Sequence, residues 1–206
     1  MKDYINNDHK FDKATMFGIL CLIIVVSGLI GFIYEFVFYF FDSGMKTLYM
    51  RGGNFLPWIN IYAIGALFIY SLTYKHRKKP LKVFLISLIS CAVVEFIGGY
   101  LVYKIGNGFR CWDYNTEILN FGNVGGFICF RSVFFFGLSG LALMYLIVPL
   151  IFKIAEKLDK KTFLIISITL CSIFLIDEFY NILARFIDAP RASDIYKNIG
   201  FKYRKF

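Results

Sequence analysis

Long apolar runs alternate with short polar interruptions along this chain, and the runs are longer than the helices of a water-soluble core. Residues 14–41 are apolar but for Ser27 and Glu35 past the first turn. A helix that crosses a hydrocarbon core of roughly 30 Å needs about 20 mostly apolar residues, so this run predicts a first membrane span. A loop from Asp42 to Leu56 carries Arg51-Gly52-Gly53-Asn54 and stops at Pro57, a residue suited to a helix start. Residues 57–74 then predict a shorter second span with Trp58 and Tyr62 as interfacial aromatics. The basic block Lys75-His76-Arg77-Lys78-Lys79-Pro80 breaks the pattern before a third span over 81–103. A connection rich in Gly, Asn and aromatics follows, then a fourth span over 126–152, a charged turn, and a fifth span over 162–183.

The expected fold is all-α, a polytopic transmembrane helical bundle of about five spans. A polar N-terminal segment (1–13) precedes the transmembrane domain (14–183), and a basic aromatic tail (184–206) follows it. The first run is too long for the apolar region of a secretory signal and lacks a small-x-small cleavage site, so it reads as a retained helix. There is no internal repeat or low-complexity linker to mark a second domain.

Composition agrees. Of 206 residues 58% are hydrophobic and only 18% charged, against about a quarter charged in a soluble domain. The net charge of +9 lies almost wholly between the apolar runs, where it sets topology, and this argues against nucleic acid as a partner. A cytoplasmic N-terminus places Lys2, Lys10, Lys13, the Lys75–Lys82 cluster, Lys153, Lys157, Lys160 and Lys161 on the cytoplasmic face. The opposite loops then hold only Lys46, Arg51, Lys104, Arg110 and Arg131. Five spans leave the basic tail outside; either that tail is tolerated there, or the fifth apolar segment, which ends at Asp177-Glu178, is re-entrant or interfacial.

Five scattered cysteines form no C-x-x-C pair and have no nearby His, so neither a metal site nor a disulfide framework is expected, although Cys111 and Cys129 share a loop and are a candidate pair. No phosphate loop, H-E-x-x-H or G-x-S-x-G occurs, so nucleotide hydrolysis of the usual kind is not expected of this chain and the common zinc and serine hydrolase signatures are absent. His9 and His76 fall in polar cytoplasmic segments. No cofactor and no catalytic residue is assigned.

Ionisable groups inside a span cost roughly 2.5–3.5 kcal/mol at the bilayer centre on insertion scales, and each asks for an explanation. Glu95 lies just past the middle of the third span, Glu35 toward the outer end of the first, and Asp177 and Glu178 in the outer part of the fifth; the proposed topology puts all four in one half of the membrane. Ser27, Gly31 and Glu35 share a helical face, and Gly98 and Gly99 follow Glu95 by about one turn, so the acids are expected to face neighbouring helices. Arg51, Arg110 and Arg131, in or beside the two outer loops, are the candidate guanidinium partners. Such pairs either lock the bundle or line a polar cavity for a solute, ion or lipid headgroup, with Glu95 the favoured site residue. Trp112, Asp113 and Tyr114, beside Arg110, read either as an interfacial belt or as a cap over that cavity.

One ordered set of motifs resembles a known family. Gly31 to Glu35, Arg51-Gly52, Leu56-Pro57-Trp58-Ile59-Asn60-Ile61-Tyr62 with Gly65, Val94-Glu95-Phe96 with Gly98-Gly99, Trp112-Asp113-Tyr114, and Gly126-Phe127-Ile128-Cys129 with Arg131 and Gly137 are similar to the ABC-transporter type IV family, the CmpB-like integral membrane proteins, over roughly residues 18–155. The chain departs from that pattern at Asn60, where proline is usual, and at Phe130 and Phe135-Phe136, near which tryptophan is often seen. The resemblance implies a multi-spanning bacterial membrane protein of the cell membrane and a permease subunit.

Three functions stand in order. The first is a permease or accessory subunit of a transporter, energised by a separate cytosolic ATPase, with Glu35, Glu95 and Arg131 lining the path. The second is an intramembrane enzyme acting on a lipid or cell-envelope precursor, with Glu95 and Asp113 as an acid-base pair. The third is a non-catalytic assembly or sensing protein whose tail, alternating Phe186, Tyr196, Phe201, Tyr203 and Phe206 with Lys and Arg, lies on anionic lipid or polymer. Partners in view are the bilayer, that ATPase and further copies of the chain.

Overall fold

Helix dominates the backbone because the apolar runs have no other way to satisfy their amides in lipid. The computed structural model describes Tyr4 and residues 11–110, 112–184 and 186–203. Its helices are α1 (Lys13–Asp42), α2 (Asn60–Thr73), α3 (Pro80–Ile105), α4 (Phe130–Ala142), α5 (Val148–Lys157), α6 (Lys160–Ala184) and α7 (Ala192–Asn198). A single π-helical stretch, Leu143–Ile147, joins α4 to α5 without a break. Two short strands, β1 (Tyr49–Met50) and β2 (Lys202–Tyr203), pair in parallel. Among the described residues, four helices are long and apolar enough to cross a membrane: α1, α3, the continuous Phe130–Lys157 helix, and α6.

The expected second span is shorter than its apolar run. Helix α2 has 14 residues and begins at Asn60, three residues after Pro57. The backbone between is committed elsewhere: Trp58 N–H donates to the Leu56 carbonyl, and Ile59 N–H donates at 3.1 Å to the Gly28 carbonyl of α1. Trp58, expected at the interface, is instead buried against Cys21, Val25, Cys171 and Phe174. The fourth span starts at Phe130 rather than Gly126, because Val124 and Ile128 form an antiparallel bridge around Gly125 and Gly126.

The chain divides into two units. Of the described residues, the first holds Tyr4 and those within 68–146, the second those within 11–67 and 147–203. In the first, α3 and α4 pack antiparallel. Gly137 admits the Phe84 ring and Gly140 the Ser87 side chain at one end of the pair, while Glu95 meets Ser132 at the other. Arg77, in the basic block between α2 and α3, is only 4% exposed. Its Nε donates to the Tyr4 carbonyl at 3.3 Å, its guanidinium lies over the Tyr74 ring, and its own carbonyl accepts from the Tyr145 hydroxyl at 2.7 Å.

In the second unit α1 and α6 run parallel. Asp12, the N-cap of α1, accepts from the amides of Ala14 and Thr15 and pairs with Lys160 at the start of α6. Gly18 then faces Ser167 and Phe163, Cys21 lies with Cys171, and Gly28 faces Phe174 and Trp58. The glycines let the helices approach closely, which is how packing is gained where lipid supplies no hydrophobic driving force. The tail is ordered on this unit: Ala192 N–H donates to Asn181 Oδ1, and the Tyr196 hydroxyl to the Phe55 carbonyl.

Candidate functional site

Glu95 projects from α3 toward the loop that joins α3 to α4. The Tyr114 hydroxyl donates to its Oε1 at 2.7 Å, and Ser132 Oγ, in the first turn of α4, lies 3.2 Å from its Oε2. Ser132 Oγ also accepts from Cys129 N–H and lies 3.0 Å from the Cys129 carbonyl. A hydroxyl has one proton, so it serves either the carboxyl or the carbonyl at any moment. Tyr114 sits in a 3-10 turn, Tyr114–Thr116, whose cap is the Asp113 side chain. Burial holds the Tyr114 phenol well above its ordinary pKa, and the neighbouring Glu95 charge adds to that effect. It is a hydrogen-bond donor across the physiological range.

Arg131, also in the first turn of α4, pairs with Glu117 at 2.5 Å, and the Glu117 side chain is 1% exposed. The Arg131 guanidinium stands 5.3 Å from the Tyr114 ring. Carboxyl, phenol, hydroxyl and buried ion pair therefore form one cluster at the loop end of α3 and α4. Around it the loop is closely built. Trp112 Nε1 donates to the Phe127 carbonyl, and the indole covers Gly99. Arg110 lies between the rings of Tyr103 and Phe127, donates to the Gly125 carbonyl, and stands 3.7 Å from Asp113. Asp113 Oδ1 accepts from both the backbone and the side chain of Asn115. Gly126, at φ +81°, lies where Asp113, Arg110 and Asn115 leave no room for a Cβ.

Two further groups belong to the second unit. Arg51 pairs with Glu35 at 2.6 Å and stacks over the Tyr39 ring at 3.9 Å. Asp177 accepts from the backbone amides of Phe55 and Leu56, each at 2.9 Å, and from Asn181 Nδ2. Glu178 accepts from the side-chain amides of Asn54 and Asn60. The acidic side chains of α6 thus fasten the 51–60 segment.

Of the ten expected residues, Glu95, Tyr114 and Arg131 come together in the first unit, with Arg110, Trp112 and Asp113 in the surrounding loop. Glu35 with Arg51, and Asp177 with Glu178, are two groups of the second. Sequence reasoning missed Glu117, Ser132, Asn54, Asn60 and Asn181. Glu117 lies in a polar loop where an acid attracts no notice, and the asparagines carry no charge. Among the described residues no group of His, Cys, Asp and Glu is placed to hold a metal ion. The candidate Cys111–Cys129 pair involves Cys111, which lies outside the described residues.

The long apolar helices, and acids that find their partners only within the fold, define a polytopic α-helical membrane protein. The chain belongs to the family described as Putative ABC-transporter type IV, whose model matches residues 15–182. That match takes in α6 as well as the region that carries the motifs, and it relates the chain to membrane transport. No curated protein and no solved structure matches the chain.

Proposed function

We propose that this protein is the membrane subunit of a transporter energised by a separate ATPase, and that Glu95 with Tyr114 and Ser132 forms the polar site its solute meets. The observation that carries this is the carboxyl of Glu95, on a membrane-spanning helix, held by two hydroxyls, one of which has a second acceptor 3.0 Å away. A carboxyl fixed only to lock a bundle is better served by a guanidinium, as Glu35 is by Arg51. Hydroxyl partners exchange at small cost, and an exchangeable shell suits a group that must release one partner to take another. The Glu117–Arg131 pair beside it orders the loop over the site.

The decisive experiment is a tagged purification from native membranes in mild detergent, with mass spectrometry of what co-purifies, for the wild type and Glu95→Gln. The expected outcome is an ATPase in stoichiometric amount with both forms, and transport-coupled ATP hydrolysis at least tenfold lower in the variant. Recovery of the chain alone, or full coupling in Glu95→Gln, overturns the assignment.

A further inference from the structure

The second unit carries a groove that the polar site does not involve. It lies where α1 ends, between the turn after that helix and the ordered tail, and has a volume of about 410 Å3. Phe40, Leu48 and Phe201 line it with Lys46 and Lys202, and no acidic residue does. The two lysines come from opposite ends of the chain and are brought together by the β1–β2 pairing, which sets Tyr49 against Lys202. Lys46 is placed by a tight turn in which Gly44 and Met45 both take positive φ and the Met45 amide donates to the Phe40 carbonyl. Neither lysine has a carboxylate within ion-pair distance among the described residues, whereas Arg51, a few residues on, is paired with Glu35.

Position and surroundings decide what such a groove holds. The 30 residues of α1 make a helix of about 45 Å, longer than the roughly 30 Å hydrocarbon core, so its last turns reach the headgroup layer. Beside the lysines the surface is apolar: Phe41 is 55% exposed, Met45 63% and Ile199 66%. Unpaired cations on an apolar surface at headgroup depth match an amphiphile with a negative head and a hydrocarbon chain; a soluble anion has no use for the apolar wall.

We propose that the groove between the 43–48 turn and Gly200–Lys202 is a site for an anionic phospholipid, with Lys46 and Lys202 on its phosphate and Phe40, Leu48 and Phe201 against its upper acyl chain. The tail then fixes the second unit to the lipid surface, and lipid binding favours the docked tail. The groove lies in the second unit and the transport assignment rests on the first, so failure of either leaves the other standing.

The test uses the full chain in detergent, titrated with phosphatidylglycerol or with phosphatidylcholine of the same acyl chains and read by native mass spectrometry. A lysine near an anionic surface is worth about fivefold in binding, so the double variant Lys46→Gln with Lys202→Gln should lose about 25-fold in phosphatidylglycerol affinity, with phosphatidylcholine unaffected. The Lys46→Arg with Lys202→Arg variant should keep its affinity. Equal retention of the two lipids, unchanged affinity in the glutamine variant, or displacement of the lipid by glycerol 1-phosphate at matched concentration overturns the proposal. A photo-crosslinking side chain in place of Leu48, in the otherwise wild-type chain, covers the case in which the double variant fails to fold. Crosslinks at Leu48 should be enriched in phosphatidylglycerol over its share of the membrane, and crosslinks at lipid-facing Phe17 should not; equal enrichment at both positions also overturns it.

Discussion

The Tyr114 hydroxyl donates to Glu95 Oε1 at 2.7 Å and so ties the α3–α4 loop to the second half of a membrane-spanning helix. Removing that donor with Tyr114→Phe leaves the ring in place and the carboxyl short of a partner. The expected cost is about 1–2 kcal/mol, a range set by hydrogen bonds to carboxyl groups and by the smaller values found inside membranes. Thermal unfolding in detergent measures it. The same bond has a pH signature. Burial raises the phenol's pKa in the folded state, so the proton is bound more tightly folded than unfolded. Its contribution to stability is complete below the ordinary tyrosine range near pH 10 and is lost as pH rises from there through the raised folded value. Tyr114→Phe should therefore lose less stability than wild type over the alkaline limb; parallel curves for the two would contradict the assignment.

Arg131 and Glu117 form the more costly pair to break. Glu117 is 5% exposed, and Arg131→Ala strands a carboxylate in a place that water does not reach. Loss of one member of a buried pair costs about 3–5 kcal/mol. Glu117→Gln with Arg131→Met, which removes both charges and keeps the volume, should recover most of it. A double variant no more stable than Arg131→Ala would show that the pair's charge is not what orders the loop.

Gly126 tests how closely that loop is built. An alanine there meets both the left-handed backbone at φ +81° and the side chains of Asp113, Arg110 and Asn115, for a combined cost of roughly 2–4 kcal/mol. At Gly122, with φ +66° and only Phe130 near the added Cβ, the backbone contribution acts almost alone, so Gly122→Ala should cost about 1–2 kcal/mol. Equal losses at the two positions would mean that the polar crowding over Gly126 has no energetic weight.

Asp177 holds a loop by its backbone, so its effect should be local. In Asp177→Asn one carboxylate oxygen becomes an amide that points at a backbone N–H, and one of the bonds to Phe55 and Leu56 is lost. A hydrogen bond to a charged group is worth about 1.5–3 kcal/mol, so exchange of those two amides should speed up by about tenfold or more. Hydrogen exchange with mass spectrometry reads the 51–60 peptide directly, with the α3–α4 peptides as an internal control. Uniform acceleration across both would indicate global destabilisation instead.

The long spans were legible in the sequence because lipid imposes length and apolarity on any crossing helix, and that constraint is local in the chain. The starts of α2 and α4 were not, since tertiary bonds set them: Ile59 N–H goes to Gly28 of α1, and the Val124–Ile128 bridge delays α4 to Phe130. The same division holds in the polar clusters. Acids within spans stand out by their cost, and Arg131 stands out as a cation near them, but the partner of Arg131 is Glu117 from a polar loop. Asp177 and Glu178 take backbone amides and asparagines, which no charge pattern announces. Asn60, where the family pattern has proline, supplies one of those amides, so the departure from the pattern coincides with a bond to Glu178.

Helices α1 and α6 run parallel from the Asp12–Lys160 pair onward, and this bears on membrane topology. If every long apolar helix crosses once, parallel α1 and α6 need an odd number of crossings between them. Helix α3 and the continuous Phe130–Lys157 helix supply two, and α2, although only 14 residues long, is the remaining candidate for the third. Five crossings place Lys160 and the tail on opposite faces, and the positive-inside rule puts Lys160 in the cytoplasm. Single cysteines replacing Lys160 and Lys197, both more than half exposed, test this in a Cys111→Ser background, since the other four cysteines are buried. An impermeant maleimide added to intact cells should label Lys197→Cys at once and Lys160→Cys only after permeabilisation. The reverse pattern keeps five crossings and inverts the protein. Labelling of both from one side would mean that α6 does not cross, and would put the basic tail on the face that carries Lys160.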